Sequence, residues 1–232
     1  MIPISQNLPI LIIGAILGLM DGGLNPCALS VLFFLIAYLL SLGSRKKCVL
    51  IGLTYSSVIF FVYFSFMYGI LNVIYIIGYI ELIKLIVAFV LVFIGFLEIK
   101  DFFFYGKWLS ARIPKFAMPT IEKLVKAATL PSAIILGFFV SLVEIPCAGA
   151  FPFYFITLLA DRGITGLLNI FYIAWYNIFF ILPLIIITLA FYFGFSKVES
   201  AERKRVKYRK YMRLISGIVM IMLGIAMYMR WL

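Results

Sequence analysis

The sequence predicts an all-α integral membrane protein: six transmembrane helices forming two inverted-topology three-helix repeats, with spans 1 and 4 broken near Pro-Cys pairs. Three observations predict it. The chain has 232 residues, 66% hydrophobic and only 12% charged, where a soluble domain carries about 25% charged residues. Its apolar runs exceed the roughly 18–20 residues that cross a hydrocarbon core and lack the period-two alternation of membrane barrel strands. A Pro-Cys-Ala triplet occurs twice, at 26–28 and 146–148.

The runs fall at 8–43, 48–77, 79–104, 131–160, 164–196 and 211–231, bounded by charges or glycines. The first, as one straight helix, would be roughly 54 Å long, well beyond a core of about 30 Å. Inside it lies DGGLNPCALS (21–30), where Gly22, Gly23 and Pro26 supply the means to break. The two glycines read as flexibility or close packing. In span 4, Pro146 precedes the second cysteine and Pro152 adds a second weak point. Pro183 in span 5 reads as a kink, with Asn177 placed to bond the carbonyls it frees. MIPISQN has no basic residue and no small-residue cleavage pattern follows it, so the first span is expected to remain rather than leave as a signal peptide.

The net charge of +11 is confined to a few segments. Loop 1–2 holds Arg45, Lys46 and Lys47. Loop 3–4 holds Lys100, Lys107, Arg112, Lys115, Lys123 and Lys126. Loop 5–6 holds Lys197, Arg203, Lys204, Arg205, Lys207, Arg209, Lys210 and Arg213. The other side has Lys84, Arg162 and Arg230. The positive-inside rule then places those three loops in the cytoplasm and both termini outside. The segregation reads as topology and contact with the lipid bilayer, not nucleic-acid binding, for which an extended basic face is needed.

A shift of 120 residues lays 23–43 on 143–163: Pro26, Cys27 and Ala28 meet Pro146, Cys147 and Ala148, and Phe33, Ile36, Leu39 and Gly43 meet Phe153, Ile156, Leu159 and Gly163. The same shift sets TYSS (54–57) on AWYN (174–177), and a shift of 129 sets Lys84, Leu85 and Gly95 on Arg213, Leu214 and Gly224. Residues 1–104 then form the first repeat, 105–130 a cytoplasmic basic loop and 131–232 the second repeat, within one membrane domain. Three spans is an odd number, so the second half enters from the opposite face. Transporters with alternating access share this plan, with a site near the midplane on discontinuous helices.

There is no histidine, and Cys27, Cys48 and Cys147 have no CxxC or zinc-type spacing, so no metal site is expected. Cys48 reads as a small buried hydrophobe. Cys27 and Cys147, at one repeat position after proline, read as a redox-active pair if the repeat axis brings their Cα atoms within about 4.4–6.8 Å. Thiol–disulfide exchange there needs at least intermittent access to water. Asp21, Asn25, Glu144 and Asn177 are candidate polar support. Glu144 lies on the face of Cys147 and is placed to accept a thiol proton, while either carboxylate reads equally as a helix cap or a wetted group. Three other readings stay open from the residues alone. The first is a small-solute or metal-ion transporter using Asp21, Glu144 and the thiols as ligands; the second is a structural protein with a static disulfide. A quinone-coupled thiol oxidase is the third.

The chain resembles the CcdA family, six-span relatives of the DsbD transmembrane domain. The likeness is carried by DGGLNPCALSVLFFLIAYLL (21–40), EIPCAGAFPFYF (144–155), WYNIFFILPLIII (175–187) and the loop RIPKFAMPTIEKLVKAATLPSA (112–133). It implies a thiol–disulfide oxidoreductase in a prokaryotic plasma membrane. Such a protein carries electrons from cytoplasmic thioredoxin to extracytoplasmic thioredoxin-like proteins, including those serving cytochrome c maturation. Cys27 and Cys147 would cycle between disulfide and dithiol, without a cofactor. One departure is that Ala28, Leu29 and Ser30 follow Cys27, where many members have PCxLP.

Overall fold

The computed structural model describes residues 4–24, 31–36, 38, 45–103, 118–127, 129–148, 150–193 and 198–229. The regular structure among them is helical throughout: α1 (Ile4–Leu24), α2 (Arg45–Ile77), α3 (Ile80–Phe103), α4 (Met118–Ala127), α5 (Leu130–Ala148), α6 (Ala150–Asp161), α7 (Leu167–Tyr192) and α8 (Val198–Tyr228). Residues 31–36 form a further helical segment. Four stretches, Lys46–Ile77, Ile80–Phe103, Leu167–Tyr192 and Tyr211–Tyr228, are long and apolar enough to cross a bilayer. This is the build of a multi-pass membrane protein. Large apolar side chains such as Phe61, Phe89, Phe96 and Ile186 stay exposed on its outside, where hydrocarbon rather than water is their natural solvent.

The helix ends follow from local chemistry. Gly78, at φ 72°, stops α2, and its N–H donates to Ile74 O at 3.1 Å; the left-handed conformation there suits glycine. α6 ends in a Schellman turn: Ile164 N–H reaches back to Leu159 O and Gly163 N–H to Ala160 O, with Gly163 at φ 62°. α5 runs through Pro146 to Ala148, and a new helix starts at Ala150. Pro152 lies in the first turn of α6, where a missing N–H costs little.

Lipid offers no hydrophobic drive for helices to associate, so close approach through small residues and hydrogen bonds must hold them. The most extensive pairing is α3 with α8. A methyl group at Gly95 would lie 2.8 Å from Gly217 O, and one at Gly224 would lie 2.9 Å from Ala88 O. Partners fall in number along α8 as they rise along α3, so the two helices are antiparallel. α1 packs on α7, α2 on both α5 and α7, and α6 on α3. Buried hydroxyls within the bundle bond the carbonyl four residues back: Ser56 to Gly52, Ser141 to Gly137, Thr157 to Phe153 and Thr188 to Leu184.

Two segments expected as loop are helical. α4 lies inside the 105–130 loop and buries Ile121 and Val125 against α5. The basic insert ERKRVKYRK (202–210) is continuous with the last apolar helix. The charge count also changes meaning. Lys100 and Arg213, taken as loop charges, sit within helices and pair with acids: Lys100 with Asp101 at 3.1 Å, and Arg213 with Asp101 at 2.5 Å.

Candidate functional site

The best-described site lies where α1 crosses α7. Gly14, Gly18 and Gly22 are spaced by four, so they form one stripe along α1. A methyl group at Gly14 would meet the Phe155 ring at 2.9 Å, one at Gly18 the Tyr176 carbonyl oxygen at 2.5 Å, and one at Gly22 the Phe180 carbonyl oxygen at 2.0 Å. Among the described residues, nothing lies within 4 Å of the corresponding position at Gly23. Gly22 is thus a close-packing residue, and Gly23 is not one against any described residue.

This contact sets Asp21 against Tyr176. Asp21 is 1% exposed, and its Oδ2 accepts the Tyr176 hydroxyl at 2.8 Å. Its Oδ1 has no hydrogen-bond partner among the described residues. The expectation of a cap or a wetted group at Asp21 is corrected: the carboxyl is buried between helices because the glycine stripe draws α1 onto α7. Tyr176 also stacks on Phe155, with ring centroids 5.1 Å apart. One residue earlier, the Trp175 indole donates to Leu11 O at 3.0 Å, a second clasp between the same helices.

Asn177 is fully buried and donates to Ile173 O at 2.8 Å, with Met67 Sδ at 3.3 Å. Its amide therefore serves the turn before it, not the carbonyl four residues before Pro183 that the proline leaves without a donor. The expectation that it repairs the kink is corrected, because Asn177 precedes Pro183 by six residues and its amide is taken up at Ile173.

The Pro-Cys positions are reached only in part. Asn25, Pro26 and Cys27 lie outside the described residues, immediately after the end of α1 at Leu24. Glu144, Pro146 and Cys147 lie in the last turns of α5, with their side chains outside the description. Cys48 is a free thiol, fully buried. Among the described residues, no three His, Cys, Asp or Glu side chains come together as a metal-holding group.

Charged groups meet at two further places. Arg213 of α8 is 2% exposed and lies between Asp101 at 2.5 Å and Glu98 at 3.7 Å, both on α3. Lys84, near the other end of α3, pairs with Asp161 at the end of α6. The sequence reading placed none of these pairs, although Lys84 and Arg213 were already matched by the repeat. No family model, curated protein or solved structure matches the chain.

Proposed function

We propose that the chain is a transmembrane thiol–disulfide electron carrier, built as six spans in two inverted repeats, with Cys27 and Cys147 as its redox pair. Reducing equivalents would pass from cytoplasmic thioredoxin to a thioredoxin-like acceptor outside a prokaryotic plasma membrane. The observation that carries this is the doubled Pro-Cys-Ala triplet at 26–28 and 146–148, two of the chain's three cysteines at one aligned position. Buried helices are rarely interrupted without purpose, since each freed backbone group needs a partner or a wetted cavity.

The packing supports the inverted repeat. Exchanging spans 1 and 4, 2 and 5, and 3 and 6 turns the α1–α7 pairing into the α5–α2 pairing and leaves α3–α8 and α2–α7 unchanged. All of these pairings are present. The agreement extends to single residues. Gly95 packs on Gly217 and Ile221, and Gly224 packs on Ala88 and Val92, which are the same contacts after a shift of 129. Gly18 packs on the Tyr176 carbonyl and Phe179, while Gly137 packs on the Tyr55 carbonyl and Val58, close to a shift of 120.

In the reaction, a thiolate of reduced thioredoxin attacks one sulfur of the Cys27–Cys147 bond. A mixed disulfide forms, and the other cysteine leaves as a thiolate that takes up a proton. The second thioredoxin thiolate then breaks the mixed disulfide and departs as oxidised thioredoxin. Two electrons and two protons have moved onto the pair. The reverse sequence passes them to a disulfide on the acceptor outside.

The test is maleimide labelling of the purified protein before and after reduced thioredoxin, with labels counted by mass. Two new labels, at Cys27 and Cys147, are expected. Three free thiols throughout, or a bond that thioredoxin leaves closed, would overturn the proposal.

A further inference from the structure

Lys84 and Arg213 occupy one repeat position, and each reaches across to the opposite half. Lys84 of the first half pairs with Asp161 of the second, and Arg213 of the second pairs with Asp101 and Glu98 of the first. Along α3, the 17 residues from Lys84 to Asp101 span about 26 Å, close to the thickness of a hydrocarbon core of about 30 Å. The two ion pairs therefore lie near opposite edges of the bundle, joined by the antiparallel glycine crossing of α3 and α8.

Their burial differs. The Arg213 side chain is 2% exposed, and those of Glu98 and Asp101 are 1% and 0% exposed. The Lys84 and Asp161 side chains are 15% and 32% exposed. Beside the Lys84 pair lies a cavity of about 400 Å³ lined by Glu81, Lys84, Leu85, Met227 and Tyr228. One end of the helix pair is sealed around its charges, and the other is partly parted.

We propose that these ion pairs are two repeat-related latches, one near each membrane face, that open in alternation. The structure has the Arg213 latch closed and buried and the Lys84 latch closed but partly exposed. Opening at an end requires its cation to leave the acid of the other half, and an inverted repeat offers the same device at both faces. The inference rests on the inverted-repeat reading and not on the thiol chemistry.

The experiment uses the full chain with Cys27, Cys48 and Cys147 replaced by Ser, carrying one reporter thiol. Thr157→Cys sits one turn before Asp161 and lines a small cavity beside Lys84; Ser216→Cys sits one turn after Arg213. Both native residues are buried. An impermeant maleimide is applied to each face of sealed vesicles. Lys84→Gln is expected to raise labelling of the Thr157 reporter at least tenfold and lower that of the Ser216 reporter. Arg213→Gln is expected to do the reverse. The charge swap Lys84→Asp with Asp161→Lys should return labelling to within twofold of the parent.

Labelling of both reporters from the same face would sink the inverted repeat itself. Opposite faces with Lys84→Gln inert, or with both reporters rising together, would overturn the latches alone. If Arg213→Gln does not fold, the less buried Lys84 pair and its swap still decide the matter.

Discussion

Gly22 and Gly23 are adjacent in sequence and 100° apart around α1, so replacing each with alanine asks opposite things of the bundle. At Gly22 the new methyl group would lie 2.0 Å from Phe180 O and 2.9 Å from Phe180 C. These are backbone atoms, so no rotamer change relieves the contact, and α1 must move away from α7 by about 1.3 Å to regain an ordinary separation near 3.3 Å. Overpacking of this kind costs about 1–3 kcal/mol. The displacement also stretches the 2.8 Å bond from Tyr176 to Asp21, and an interhelical bond within a membrane bundle contributes about 0.6 kcal/mol on average and up to about 1.7. Alanine returns up to about 1 kcal/mol through helix propensity, leaving a net loss of about 1–4 kcal/mol. At Gly23 nothing among the described residues lies within 4 Å, and the propensity gain remains. With roughly 2–4 °C per kcal/mol for a chain of this size, Gly22→Ala should melt about 2–16 °C lower in detergent, and Gly23→Ala at the parent temperature or slightly above. Equal melting temperatures for the two variants would refute the close contact of α1 with α7.

Three other outcomes are expected. Cys48→Ser should lose about 1 kcal/mol, from placing a hydroxyl in a buried site, and leave thioredoxin-dependent labelling intact, whereas Cys27→Ser should abolish it; thermal melts and thiol counting check the two parts. Arg213→Met should destabilise by about 3–5 kcal/mol because buried Glu98 and Asp101 lose the arginine between them, Asp101 keeping Lys100, while Glu98→Gln and Asp101→Asn added to it should recover most of the loss, as read by melting temperature. Tyr176→Phe should cost about 1–2 kcal/mol by removing the donor to Asp21, whereas Ser56→Ala and Ser141→Ala should each stay within about 0.5 kcal/mol, since the carbonyls they bond keep their helical N–H partners.

Helices occupy each long apolar run because composition alone requires every backbone group in lipid to be satisfied locally. Pro146 was expected to break its span, yet the helix runs through it to Ala148; Pro26 lies outside the described residues. α4 was not legible, although Ile121, Leu124 and Val125 stand at the i, i+3, i+4 spacing of one helix face; its lysines read as a loop. The insert at 202–210 misled for a related reason: Lys, Arg and Glu mark a boundary by charge yet are good helix formers. The Asp21–Tyr176 contact joins residues 155 apart, and no local pattern encodes it. The stripe Gly14, Gly18, Gly22 was visible as a spacing, but which face of α1 it served depended on the partner helix. The same holds for Lys84 and Arg213, which a shift of 129 aligns in sequence while their acid partners could not be read there.

The two halves are not fastened alike. A shift of 120 takes Asp21 to Ser141 and Tyr176 to Ser56. In the first crossing these positions bond one helix to another, Tyr176 to Asp21. In the second, both serines bond the carbonyls of their own helices, at Gly52 and Gly137. A bond within a helix travels with that helix when it slides, but a bond between helices must break first. Each serine's bond keeps its geometry whatever the neighbouring helix does, whereas the Tyr176–Asp21 bond depends on the α1–α7 separation that the glycine stripe sets.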